Sequence, residues 1–206
     1  MLIHPWDAPL DDREWRDWLA DGHDFGTLVA AGRGRDVPVV VPTHFAFDGE
    51  RTVLLHLARP NPVWAAVEEN PAVLLSVVGD WAYVPAAWKA TADEDPTLGV
   101  PTSYYAAVQL VGRAEVLAGA ELAGLLRTQL DAFEPGSGVA DPEQAHARLL
   151  SGIRGLRLTV DRVSAKFKYG GNADAAHRAR VAERLGERRG PGDAAARTHL
   201  LRRTPL

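Results

Sequence analysis

The stretch LLHLARPN, Leu54 to Asn61, sets an imidazole, His56, into an apolar strand and follows it three residues later with a guanidinium, Arg59. An imidazole on a rigid element can ligate a metal or move a proton near neutral pH. A lone histidine on a strand reads more often as a core residue bonded to a neighbour. Arg59, followed by Asn61-Pro62, places a fixed charge beside an expected helix start, a combination suited to phosphate or carboxylate. A surface salt bridge is the plainer alternative. His44, in VPTHFAF, lies on the preceding strand. A hairpin centred on Asp48-Gly49 pairs position 44 with 53, so His44 and His56 need not face each other. No H-E-x-x-H or comparable ligand spacing joins them.

Two further clusters carry polar chemistry. VPTSYYAAVQ, Val100 to Gln109, holds Thr102, Ser103, Tyr104 and Tyr105, candidates for hydrogen bonding and proton transfer. Neighbouring strand residues point to opposite faces, so one of the two tyrosines is packing. AKFKYGGN, Ala165 to Asn172, holds Lys166 and Lys168, two of the three lysines in the chain; the third is Lys89. Their spacing puts both on one side of a strand, either as a solvated face or for work that needs a compact charge with a movable pKa. Gly170-Gly171 permit close approach of a ligand or another chain. Nucleophilic catalysis finds no G-x-S-x-G elbow, and AGRGR is a turn without a phosphate-loop pattern.

The elements that must position these groups read as a meander. Asp11 and Asp12 cap a first helix bearing Trp15, Trp18 and Leu19. Strands follow over Phe25–Ala31, Val37–Phe47 and Arg51–Ala58, then a helix opened by Asn61-Pro62 with Val63, Trp64 and Val67 on its apolar face. Strands over Ala72–Gly79 and Trp81–Val84 precede a polar stretch, Pro85–Pro101, expected to be a mobile loop carrying Trp88 and Lys89. A strand over Tyr104–Leu117, a helix over Glu121–Phe133, the loop EPGSGVADP, a short helix and a last strand over Ile153–Gly170 lead into an Ala/Arg-rich helical tail. That order argues for a small antiparallel barrel and against a parallel doubly wound sheet.

Composition narrows the class. With 206 residues, 46% hydrophobic, and no long Ser/Gly or Pro run, the chain suits one soluble domain: a barrel over 1–170, with the helical tail 171–206 part of it. The net charge of −4 argues against a wholesale nucleic-acid binder, although the tail from His177 carries eight arginines against three acids. The absence of cysteine excludes disulfides, thiolate nucleophiles and zinc-thiolate sites. The N-terminus lacks a signal-peptide pattern and no apolar run approaches bilayer length, so a cytoplasmic location is expected.

HLARPNPVW, WAYVPAAW, VPTSYYAAVQLVG and AKFKYGGN, in that order, resemble the PaiB-like group of FMN-binding split-barrel proteins, relatives of pyridoxamine phosphate oxidases often labelled transcriptional regulators. The resemblance implies a fold that is mainly β with peripheral helices (α+β), a six-stranded antiparallel split β-barrel, homodimeric, with a planar cofactor in a cleft between subunits. The chain departs from that group at Ser103-Tyr104, where Trp-Asn is usual, at Gln109, where His is usual, and in KFKYGGN. GHDFGTLV, VPTSYYAAVQ and KFKYGGN together look like piperazate synthases. That haem-dependent branch closes N5-hydroxy-L-ornithine into L-piperazic acid with loss of water. The likeness implies haem b, with FMN as the alternative cofactor. Such a haem needs an axial ligand, and with no cysteine and only the initiator methionine the candidates are His, Tyr or Lys. Here the expected ligand is His56, on a strand read as rigid and inward, with His44 second. His4, His23, His146, His177 and His199 lie outside the matching blocks. Arg59 would hold a propionate, with Asn61, Trp88 and Thr102 around the cofactor. Tyr104, Tyr105, Lys166 or Lys168 would donate a proton, and Ser103 with the remaining lysine would hold the substrate carboxylate. An FMN-binding oxidoreductase and a PaiB-like regulator using its arginine-rich tail are the other readings; neither membrane nor nucleic acid is the expected partner.

Overall fold

The computed structural model describes residues 1–90, 95–138 and 150–203. Among them seven strands form one sheet: β1 (Phe25–Ala30), β2 (Val39–His44), β3 (Ala46–Phe47), β4 (Thr52–Ala58), β5 (Ala72–Val84), β6 (Thr102–Leu117) and β7 (Ile153–Lys168). Their order is β2-β1-β5-β6-β7-β4-β3. β1 pairs antiparallel with β2 and β5, and β4 with β3 and β7. The helices are α1 (Glu14–Ala20), α2 (Val63–Glu69), α3 (Ala86–Lys89), α4 (Gly119–Phe133), α5 (Ala175–Arg188) and α6 (Asp193–Arg202). The mainly-β antiparallel class is as expected, with seven strands in place of six.

The additional strand comes from one break. The run expected as a single strand over Val37–Phe47 is interrupted at Phe45, whose N–H donates to the Asp24 carbonyl at 2.9 Å and whose ring is buried. Before the break the chain pairs with β1; after it, with β4. The two edge strands of the sheet are therefore consecutive in sequence, joined through one residue, which is a split-barrel arrangement.

Contacts divide the chain into two compact units. Unit 1 comprises Met1–Trp15, Val78–Val108 and Ser164–Leu206; unit 2 comprises Arg16–Val77 and Gln109–Val163. β5, β6 and β7 contribute one end to each.

Unit 2 is built on alternation. Val53 and Leu55 on β4 and Leu156, Leu158 and Val160 on β7 are buried, while residues between them face the other way. The register sets Leu55 beside Leu156 and His56 beside Gly155. Gly155 matters for what covers this outer face: a Cβ there would lie 3.0 Å from a Leu125 methyl and 3.3 Å from a Leu122 methyl of α4. The missing side chain lets α4 lie close on the strand pair.

Unit 1 carries the aromatic end of β7 and the tail. Asp11 accepts from the N–H groups of Arg13 and Glu14, capping α1 as expected. Phe167 and Tyr169 are buried, and the Tyr169 hydroxyl donates to the Asp80 carbonyl at 3.0 Å. Asp80, at φ +52°, bends β5 where two separate strands were expected. Its carboxylate meets His199 Nε2 of α6 at 3.0 Å, and the His199 ring stacks on Tyr169 at 4.6 Å. Arg188 pairs with Asp193, and Arg203 with Glu14, so part of the tail's positive charge is consumed internally.

The stretch Pro85–Pro101, expected as a mobile loop, is more structured than that wherever it is described. α3 and a 3-10 turn over Pro96–Leu98 pack on each other, and a Cβ at Gly99 would fall 1.9 Å from the Ala86 carbonyl oxygen. Positions 91–94 of that stretch, positions 139–142 of the expected EPGSGVADP loop, and positions 143–149 after it, His146 among them, lie outside the described residues. No helix among the described residues is long and apolar enough to cross a membrane.

Candidate functional site

Unit 2 holds a cavity of about 820 Å³ whose lining includes His44, His56, Gln129, Leu130, Phe133 and Ile153. Both sequence-selected histidines reach it, and each departs from its expected placement for its own reason. The hairpin turns through Asp48, whose carboxylate accepts from the N–H groups of Glu50, Arg51 and Thr52, while Asp48 N–H donates to the Thr52 carbonyl. This longer turn pairs Ala46 with Leu54 and Phe47 with Val53. Continuing that register brings position 44 opposite 56, not 53. The same alternation that buries Val53 and Leu55 turns His56 to the outer, exposed face of β4 and not inward.

The two imidazoles differ in how firmly they are held. His56 Nδ1 lies 2.6 Å from Oε1 of Gln129, a residue only 4% exposed on α4. Gln129 Nε2 in turn donates to the Leu54 carbonyl at 3.4 Å. His44 sits between the rings of Phe25, at 4.8 Å, and Phe133, at 5.6 Å. Its Nδ1 is 3.7 Å from the Asp24 carboxylate, and its side chain is 64% exposed. Gln129 escaped the sequence reading. Its signal was present: it occupies the apolar face of α4, at i+4 from Leu125 and i+7 from Leu122, where a leucine is the default.

Arg59 is exposed and lies on a neighbouring cavity of about 450 Å³ that shares Leu150 with the first. Its Nε donates to the Ser151 carbonyl at 2.5 Å, which fixes the guanidinium. The anion cradle expected at the next helix is not formed. α2 has seven residues, and Asn61 Oδ1 accepts from Val63 N–H, so Asn61 serves as a local cap.

The remaining candidates gather in unit 1. Lys168 donates to Thr102 Oγ1 at 2.8 Å. Lys166 and Lys168 place their ammonium groups 5.8 and 5.9 Å from the Tyr105 ring, as their shared strand face implied. Lys166 is buried, donating to the Leu2 carbonyl at 2.9 Å with Asp7 at 3.5 Å. Burial, and then the charge of Lys168, pull the Lys89 ammonium below its ordinary value. Trp88 lies under the Arg188 guanidinium at 4.7 Å, and Ser103 is exposed. Tyr104 is the packing member of its pair: 1% exposed, its hydroxyl without a hydrogen-bond partner among the described residues, its pKa pushed by burial to about 12. The Gly170-Gly171 pair admits close approach, but from this chain. A Cβ at Gly170 would stand 2.6 Å from the Tyr104 hydroxyl, and one at Gly171 2.3 Å from the Trp6 carbonyl oxygen. Among the described residues no cluster of three or more His, Asp or Glu offers a metal site built from protein ligands alone.

Known proteins fit this description at the level of fold. Over 176 residues the chain is 27% identical to "Protease synthase and sporulation protein PAI 2" of Bacillus subtilis (strain 168), covering 82% of each. The solved flavocytochrome Anf3 of Azotobacter vinelandii is 23% identical with a TM-score of 0.61, covering 84% of this chain and 75% of that one. A FAD and heme binding protein of Mycobacterium smegmatis is 22% identical with a TM-score of 0.62, covering 85% and 78%. Residues 1–162 match the family described as "Putative FMN-binding domain", and the chain belongs to that family.

Proposed function

We propose that the chain is a haem-dependent cyclase that forms the N–N bond of L-piperazic acid from N5-hydroxy-L-ornithine, and that His56, on the wall of the unit 2 cavity, would hold the iron of haem b. The observation that carries the cofactor is the His56–Gln129 pair on the wall of an apolar cavity of about 820 Å³. That volume lies within the roughly 300–1,000 Å³ typical of small-molecule sites. An imidazole whose far nitrogen is bonded to a protein acceptor is how proteins orient a metal-ligating histidine. The leucines and Phe133 suit the faces of a macrocycle, and Arg59 on the adjoining cavity suits a propionate. Asn61 we leave as a helix cap. The substrate follows from the likeness of VPTSYYAAVQ and KFKYGGN to piperazate synthases.

Haem held there would supply an iron centre able to weaken the N–O bond as a Lewis acid or by a transient electron shift. In the overall step the neutral α-amine nitrogen donates its electron pair to N5 and gives up one proton, the N–O bond breaks, and the oxygen takes one proton and leaves as water. Tyr105 is the residue assigned to hold that proton, since Tyr104 is walled in and its pKa raised. Lys168 and Lys89, whose charges oppose each other, are assigned with Ser103 to the substrate carboxylate, an anion that would relieve that repulsion. Lys166, occupied by Leu2 and Asp7, positions the Tyr105 face.

The test is direct. Purified protein should show a Soret band, and adding N5-hydroxyornithine should yield a product lighter by one water. A yellow protein with flavin absorbance and no haem would overturn the cofactor. Family membership favours that second reading, an FMN-binding oxidoreductase. It needs a phosphate cradle, however, and α2 is short with its first N–H already engaged. A DNA-binding regulator is disfavoured by the tail arginines already spent on Asp193 and Glu14. We further propose a cytoplasmic homodimer, supported by the exposed Val78, Trp81 and Tyr83 on β5. Sedimentation as a monomer at micromolar concentration would count against it.

A further inference from the structure

We infer that Gln129 is the positioning residue of the His56 ligand, holding its ring as a single tautomer with the proton on Nδ1 and the lone pair on Nε2. The inference rests on the reading of His56 as the haem ligand and says how the chain prepares that residue before any cofactor arrives.

The Leu54 carbonyl can only accept, so the Gln129 amide nitrogen, 3.4 Å away, is the group that faces it. That leaves Oε1 toward His56, and an amide oxygen has no hydrogen to give. At 2.6 Å, His56 Nδ1 must therefore be the donor. A neutral imidazole carries one ring proton, so Nε2 is left as the lone-pair nitrogen. Because Gln129 is 4% exposed, little water competes for either bond.

The helix that carries the amide is itself fixed in depth. Gly155, paired with His56 across β4 and β7, admits Leu122 and Leu125 of α4 to within 3.3 Å of where its Cβ would be. Gln129 sits one turn beyond Leu125 and so arrives at the imidazole. His44 has no such support. Its Nδ1 stands 3.7 Å from Asp24, beyond hydrogen-bond distance, with the ring largely in solvent. Two histidines line one cavity, and the amide distinguishes the prepared one from the other.

The deciding experiment is nitrogen-15 NMR of the cofactor-free chain labelled at histidine, with haem titrations of the wild type, Gln129→Leu and Gln129→Glu. The wild type should show His56 as the Nδ1–H tautomer. Gln129→Leu should give mixed tautomers and bind haem about 10–100-fold more weakly, the usual cost of losing such a partner. Gln129→Glu, which keeps an acceptor on Nδ1, should keep the tautomer and most of the affinity. If Gln129→Leu fails to fold, the wild-type tautomer and the Glu variant still decide. Haem uptake by a wild type whose His56 carries its proton on Nε2 overturns the role of Gln129 alone. A folded Gln129→Leu that binds haem as tightly as wild type does the same. A wild type that takes up no haem overturns the haem reading, and this role with it.

Discussion

The unit 2 cavity and the unit 1 cluster hold titratable groups in opposite states. In unit 2 the two imidazoles border a mainly apolar cavity of about 820 Å³ that the described residues leave open. In unit 1, tyrosines, lysines and histidines are dense, and most are occupied by the chain itself: Lys166 by Leu2 and Asp7, Tyr169 and His199 by Asp80. A group with a satisfied partner in a packed interior is structural by default, whereas an oriented group facing unfilled apolar volume has work outstanding. Unit 2 therefore carries the stronger argument for a ligand, although unit 1 has the richer chemistry by residue type.

The largest effect that could break this contrast is loss of the cofactor. His56→Ala should abolish the Soret band and turnover, while His44→Ala should keep both within a few-fold, because only His56 is held from behind. The reverse pattern would transfer the ligand role to His44 and leave the cavity in place. In unit 1 the corresponding contrast lies within one dipeptide. Tyr105→Phe should lower turnover about 10²-fold, the scale of a lost general acid, with haem binding unchanged. Tyr104→Phe should leave turnover nearly intact, since its hydroxyl is sealed in. Equal losses in both variants would mean that the tyrosines act through packing.

Gly155 tests the link from sheet to helix. Gly155→Val would press a branched side chain against Leu117, Leu122 and Leu125, each already within about van der Waals distance of a bare Cβ. Overpacking of this kind costs about 1–3 kcal/mol. Urea unfolding should show that loss, and haem affinity should fall with it as α4 and Gln129 are pushed from β4. A loss of stability with unchanged haem affinity would separate Gln129 from the ligand.

These contrasts also show what the sequence could carry. Alternation made the strands legible, and Asp11, Asp48-Gly49 and Asn61 marked their turns and caps within a residue or two. The paired lysines of β7 were legible too, because positions 166 and 168 share a strand face whatever the fold. The histidine pair was misplaced because register depends on the length of one turn. Asp48 accepts three backbone N–H groups and moves the centre of the hairpin, so position 53 pairs with Phe47, while His44, paired with Phe25 of β1, comes level with 56 by continuation of that register. The face of His56 was misread because an apolar neighbour on either side suggests burial all round, while alternation buries only every second residue. Gln129 was beyond local reading altogether: it lies 73 residues from His56 in sequence, and only the packing of α4 over Gly155 joins them.

The smallest effect isolates the cost of the closed state in unit 1. The Tyr104 hydroxyl is buried without a partner among the described residues, and an unmade hydrogen bond of that kind costs about 1–3 kcal/mol. Tyr104→Phe should thus be neutral or stabilising at neutral pH, by up to about 1 kcal/mol once lost packing is allowed for. The alkaline limb fixes the sign independently. Burial raises the Tyr104 pKa from 10.0 to about 12 in the folded chain. Between those values the unfolded chain releases a proton that the folded chain keeps, so the unfolded state gains and stability falls as pH rises through that window. Tyr169, pushed up by burial and by Asp80, adds to the fall in the same direction. Removing the Tyr104 hydroxyl should make the loss of stability above pH 10 shallower, with the Tyr169 contribution remaining. Chemical denaturation of wild type and Tyr104→Phe on either side of pH 10 measures the difference. Parallel curves would mean that the Tyr104 hydroxyl is reached by solvent and that this part of unit 1 opens readily, as a site for substrate would.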